Sequence, residues 1–174
     1  MKRTLCHLAL VAAAIVAPSL ASAQHAYISA AKCKPCHNSA AKGEQYNKWE
    51  KSKHAGAFNT LTTPKAAEIA KAKGIAGAAS EAKECLECHA INDAAADPKM
   101  GVQCESCHGA GADYKAMAVM KVRADAAGKG MAVYADKAAV EAMCKKCHNE
   151  KSPTAKPFNF DERMAAIAHK KPAA

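Results

Sequence analysis

Four times in 174 residues this chain repeats one five-residue pattern, and every other reading must accommodate it. Cys33-Lys34-Pro35-Cys36-His37, Cys85-Leu86-Glu87-Cys88-His89, Cys104-Glu105-Ser106-Cys107-His108 and Cys144-Lys145-Lys146-Cys147-His148 all read C-x-x-C-H. Of the nine cysteines only Cys6 stands outside these motifs. Two Cys three apart lie about one helical turn from each other, so both thiols can reach the two vinyl groups of a single porphyrin. The His that follows then offers an imidazole nitrogen to the iron on the proximal side. The pattern predicts four covalently bound haem c groups. Cys33, Cys36, Cys85, Cys88, Cys104, Cys107, Cys144 and Cys147 would form the thioethers, and His37, His89, His108 and His148 would be the proximal ligands.

Other cysteine chemistry fits less well. A disulfide framework gives no reason for a His after every second Cys. Structural zinc needs four ligands, usually drawn from two C-x-x-C knuckles. A thioredoxin-like motif would occur once, in a βαβ setting that this sequence lacks.

The N-terminus reads as an export signal. Lys2 and Arg3 precede an apolar run from Leu8 to Ala17, and Ala21-Ser22-Ala23 supplies a small-x-small cleavage site. Cleavage after Ala23 would leave residues 24–174 as one tetrahaem domain, sent to the periplasm or the cell exterior; an uncleaved tether is the alternative. No later run is long enough to span a bilayer. Without Lys2 and Arg3, 23 of the 25 basic residues face 16 acidic ones, a formal +7. Four haems would bring eight propionates, so the positive charge has a counterpart inside the holoprotein, and nucleic-acid binding is set aside.

The chain is poor in large apolar residues, with 5% aromatics, one Trp and three Phe. A conventional core is therefore not expected. The expected fold is mostly α with long loops, a compact domain organised around four haems. Glu44 to Ala57 reads as helical, and Ser80 to His89 leads helically into the second motif. Thr63-Pro64 opens a helix that Gly74 closes. Asp113 is expected to cap a helix running through Met117 and Met120 to Gly128. Asp136 caps the helix delivering the fourth motif, and Asn159 with Glu162 forms a capping-box pattern before the last one. The tail after 171 is expected to be disordered. Gly109 and Gly111 suggest close backbone approach to a haem.

Gly101-Val102-Gln103-Cys104-Glu105-Ser106-Cys107-His108-Gly109-Ala110-Gly111 resembles the G-V-x-C-E-S-C-H-G-x-G element of the tetrahaem cytochrome c-554 family. Trp49-Glu50-Lys51-Ser52-Lys53-His54 is similar to its Trp-x4-His element, and Phe158-Asn159-Phe160-Asp161-Glu162, with His169 beyond, resembles its C-terminal segment. The resemblance implies a helical multihaem electron carrier with stacked haem pairs. It also implies that the second haem, here at His89, is five-coordinate. The chain departs from the family in being shorter, in having extra residues before His54, and in having no His between Tyr114 and Met143.

Outside the leader and the motifs stand three histidines, His25, His54 and His169, for four distal positions. His54 and His169 are the foremost distal candidates. His25 is either a solvated residue of the new N-terminus or a ligand, which would then be able to reach a neighbouring subunit. Met100, Met117 and Met120 are alternatives, though Met at helical spacing is usually packing. Lys145, Lys146, Lys151 and Lys156 read as a solvated face able to steer an acidic partner.

The sequence thus points to a periplasmic one-electron relay between redox partner proteins, with no catalytic residues assigned and homo-oligomers allowed. One rival is an oxidoreductase acting on a small nitrogen compound at an open haem. The other is a subunit of a conductive cytochrome filament.

Overall fold

The computed structural model describes residues 25–169. The expected leader over residues 1–23 and the tail after 171 lie outside them. Among the described residues the regular structure is helical, with no strand, and long irregular segments join the helices. In chain order these are α1 (Lys34–His37), α2 (Gln45–Glu50), α3 (Pro64–Ala72), α4 (Lys83–His89), α5 (Cys104–His108), α6 (Met117–Met120), α7 (Arg123–Gly128), α8 (Lys137–Cys144) and α9 (Phe160–Ile167). Short 3-10 turns punctuate the loops, including Phe58–Thr62 and Ala94–Ala96.

Three of the four caps expected from local chemistry form. Thr63 Oγ1 accepts from the Ala66 amide at 3.2 Å, with Pro64 at the first helical position of α3. Asp136 Oδ1 accepts from Ala139 N at 2.8 Å, and Asn159 Oδ1 from Glu162 N at 3.2 Å. Each satisfies an amide that the helix leaves without an internal acceptor. Gly74, at φ +69°, turns the chain out of α3.

Two expected helices are shorter than their patterns suggest. The segment expected to run helically from Glu44 to Ala57 is helical only to Glu50. Beyond it the His54 carbonyl accepts from Ala57 N at 3.1 Å in a tighter turn and from the distant Val102 amide at 2.9 Å, rather than continuing an i+4 ladder. The segment after Asp113 breaks into α6 and α7, and Asp113 caps neither. Ala116 and Val122 occupy the cap positions, and the Asp113 carboxylate accepts from His25 instead.

The apolar core is small and built largely of alanine. Leu61, Ala66, Ala70, Ala79, Leu86 and Ala90 pack with Phe58, Ile75 and Cys85, joining α3 to the second-motif helix α4. Elsewhere polar side chains hold the chain together. Gln103, 1% exposed, accepts from Ala30 N at 2.7 Å and donates to the carbonyls of Ala96 and Asp97 at 2.6 and 3.1 Å. Glu105, 3% exposed, accepts from the amides of Ile28, Ser29 and Gly111 at 3.1, 2.9 and 2.7 Å. These contacts, with Ala112 N donating to Ala26 O at 3.1 Å, lay the segment before the first motif along the third.

The Gln103→Leu variant keeps the volume but strands one amide and two carbonyls, at about 1–3 kcal/mol for each buried group left unpaired. A thermal melt of the haem-loaded protein is expected to fall by several degrees. A midpoint equal to wild type would show that Gln103 is not a structural anchor.

Candidate haem-binding site

The four C-x-x-C-H motifs fold alike. The second and third lie wholly within α4 and α5, and the first on α1 with Cys33 as its cap. In the fourth, α8 ends at Cys144, yet His148 N still donates to Cys144 O at 3.0 Å, matching the 3.0 Å bond from His37 N to Cys33 O. The backbone therefore makes one helical turn through every motif, which puts two thiols and the following imidazole on one side.

None of the eight motif cysteines is joined to another in a disulfide, although several lie side by side. Cys33 lies beside Cys104 and Cys88 beside Cys147, and Cys107 is within electrostatic range of Cys144. Among the described residues no set of three or more Cys, His, Asp or Glu converges on a point where a metal ion would sit. The neighbouring thiols run from the first motif to the third, then the fourth, then the second. Cys147 Sγ also lies 3.8 Å from the Glu87 carbonyl.

Two of the three non-motif histidines face motif histidines. The rings of His54 and His148 are 6.0 Å apart between centroids, and those of His108 and His169 are also 6.0 Å apart, both pairs tilted by 57°. Two metal–imidazole bonds of about 2 Å each, together with the reach from nitrogen to ring centre, give a separation of about 6 Å. Each gap therefore fits one iron. The His169 Nδ1–H donates to Ile167 O at 3.0 Å, leaving Nε2 as the ligand nitrogen. Phe158 stacks on His148, 4.9 Å away and 19° from parallel, and so fixes that ring.

Burial lowers the pKa of His54, and the neighbouring His148 lowers it further. For His108 burial comes first, followed by His169 and His37. His148 is lowered by burial and then by Arg163. The His108 ring remains accessible while protein surrounds it closely, as expected of a side chain lining a concave space. All three are thus biased toward the neutral imidazole that binds iron.

The other two proximal candidates differ. The His89 Nδ1–H donates to Ala57 O and Thr60 Oγ1, both at 3.0 Å, while Thr60 Oγ1 itself donates to Ala57 O at 2.7 Å. This fixes the tautomer and leaves Nε2 free. Among the described residues no aromatic ring opposes His37 or His89. His25, expected to be either a solvated residue or a ligand, places Nδ1 2.6 Å from Asp113 Oδ2 within the chain. Met100 Sδ accepts from Ser29 Oγ at 3.0 Å, and Met117 is 57% exposed.

Sequence reasoning missed the side chains that pin the third motif. Tyr114 Oη donates to the carbonyls of His108 and Gly109 at 3.1 and 2.8 Å, and Tyr134 Oη to Cys107 O at 2.7 Å. Trp49 Nε1 donates to Val102 O at 2.8 Å, tying the Trp-x4-His element to the same motif. Nothing local in the sequence marks these partners, which are 5 to 53 residues away. Gly109 makes room for the Gly130 backbone and Gly111 for Ile28 and Glu105. At Gly101, with φ +74°, a Cβ would fall 2.5 Å from His54 O.

The family described as cytochrome c554 and c-prime matches residues 32–109. Among solved structures the chain is similar to the reduced state of cytochrome c554 from Nitrosomonas europaea, with 28% identity, a TM-score of 0.51 and coverage of 85% of this chain and 80% of that one. Residues 32–109 thus match the model of that family, and the fold is similar to that of the solved cytochrome c554. A comparison with curated proteins gives no match. The chain is similar to c-type cytochromes, and its four C-x-x-C-H motifs are the attachment pattern for c-type haem. Among the described residues no helix is long and apolar enough to cross a membrane.

The lowered imidazole pKa values fix the sign of a pH effect. Above the ordinary value of about 6.5 the imidazoles are neutral whether folded or unfolded, and this contribution to stability is complete. As pH falls from there toward the folded values, the unfolded chain takes up protons that the folded one refuses, and stability drains away. The urea midpoint is expected to be flat from pH 7 to 8 and to drop below about pH 6. His54→Gln should flatten the drop; an unchanged slope would remove His54 as a source.

Proposed function

We propose that this chain is a periplasmic electron relay carrying four c-type haems, which takes and passes single electrons between redox partner proteins. The observation that carries the reading is the pair of 6.0 Å imidazole gaps, His54 with His148 and His108 with His169. Bound haem supplies a one-electron iron couple. His54 with His148, and His169 with His108, would close the iron they held to exogenous ligands, leaving electron transfer as its chemistry. Cys33, Cys36, Cys85, Cys88, Cys104, Cys107, Cys144 and Cys147 are the proposed thioether donors, with His37, His89, His108 and His148 proximal.

The residues also order the relay. Thiols of successive motifs are neighbours in the order first, third, fourth, second, and haems tethered to them would follow that order. Lys145 pairs with Glu141 at 2.7 Å, whereas Lys146, Lys151 and Lys156 are exposed near the fourth motif and offer an acidic partner a landing surface. The cleavable leader read from residues 1–23 supports export, and covalent tethering keeps the cofactor in place after it.

A second reading rests on His89. Its Nδ1 is occupied, its Nε2 is free, and no described ring faces it. An iron there would keep an open position able to bind a small nitrogen species. The filament reading would take His25 Nε2 to an iron of a neighbouring chain, while Nδ1 stays paired with Asp113 of its own.

Intact mass and a pyridine haemochrome assay of the mature protein should give four haems per chain. Spin-quantified EPR of the oxidised protein should show the high-spin count rising by one in His54→Ala and by one in His169→Ala. An unchanged count in either variant would overturn that ligand pair.

A further inference from the structure

His25 is held as an iron ligand usually is. Its Nδ1–H donates to Asp113 Oδ2 at 2.6 Å, and a carboxylate on one ring nitrogen leaves the other as a lone-pair donor. The ring lies flat on Gly130, where a Cβ would come within 2.7 Å of Cγ and 2.9 Å of Nε2. Gly130 has φ +96° and its carbonyl sits against Gly109, the residue after His108. The imidazole therefore rests on a seat made by the chain leaving the third motif.

The flank on which it sits decides which iron it serves. From His25 the chain runs along the third motif through Ala26, Ile28, Ser29 and Ala30, each bonded to it or its flanks, and reaches the first motif at Cys33 beside Cys104. His54 and His169 are already engaged with His148 and His108. Two motif histidines then remain, His37 and His89. His89 belongs to the other flank, where Cys88 meets Cys147 and where Ala57 and Thr60 hold the ring.

We propose that His25 is the sixth ligand, through Nε2, of the iron held by His37, with Asp113 as the positioning residue that accepts its Nδ1–H. The assignment rests on the tetrahaem reading above. It replaces, from the N-terminal leg, the histidine that this chain lacks between Tyr114 and Met143. It also makes the ligand part of the same chain, so a complete first site needs no second copy. The Asp113 carboxylate makes the imidazole a stronger donor, which favours the ferric state and lowers the reduction potential of that site.

The test uses the mature protein with haem loaded, quantified by EPR and weighed intact. Wild type is expected to show three low-spin haems and one high-spin. His25→Ala and His25→Gln should each show two and two, with four haems still on the mass, an unchanged circular dichroism spectrum, and the lost low-spin signal restored by free imidazole. Asp113→Asn should keep three low-spin haems while one couple in a potentiometric titration moves to higher potential. A chain weighing four haems with an unchanged spin count in His25→Ala overturns the ligand assignment alone, whereas fewer than four haems on wild type overturns the reading beneath it. If dilution to a monomer turns a second wild-type haem high-spin, the ligand comes from another chain and the proposal fails.

Discussion

The buried Glu105 carboxylate is the contact on which the arrangement turns. It sits inside a C-x-x-C-H motif, between Cys104 and Ser106, and collects the amides of Ile28, Ser29 and Gly111. Hydrogen bonds to a charged group contribute about 1.5–3 kcal/mol each. That compensates the desolvation of a carboxylate only because several donors converge on it. The geometric result is that two strands of irregular chain, one leading to the first motif and one leaving the third, are locked on opposite sides of a single side chain. Gln103 extends the lock to Ala30 and to the turn at Ala96 and Asp97. A fold with an alanine-rich core needs such polar anchors, because alanine buries too little area to position helices as short as α1 or α6.

What the sequence revealed and what it hid divide along the range of the interaction. Thr63, Asp136 and Asn159 were legible as caps because each bonds an amide three residues on, a local geometry with few competitors. Asp113 has the same chemistry, but His25 lies 88 residues away in sequence and takes its carboxylate. An ion pair from across the molecule displaced the local cap, and the helix it would have started broke into α6 and α7. The motifs themselves were fully legible, since C-x-x-C-H carries its chemistry in five consecutive residues. The anchoring roles of Gln103, Glu105, Tyr114 and Trp49 were not, because a polar side chain does not announce which distant backbone it will meet.

The histidines show the same division more finely. Their number and type gave the shortage of distal ligands, three for four irons. Which imidazole faces which was beyond reach, since His54 precedes its partner by 94 residues and His169 follows its partner by 61. The family pattern offered no shortcut at the first haem, where this chain departs from it.

Those long separations explain how so small a core holds a chain of this size. On the proposed ligation each closed iron joins its own motif to a segment far away in sequence, as a cross-link does. Closing a loop of this length in the unfolded chain costs conformational entropy that grows only as the logarithm of its length, so distant staples are the most economical ones. His54 fastens the α2 region to the fourth motif, His169 fastens the end of α9 to the third, and His25 fastens the N-terminal leg to the first. Metal binding and folding then become one equilibrium. A weak apolar core agrees with this proposal: ligands that closed the irons would also tie distant segments together, and large hydrophobic side chains between them would be less needed.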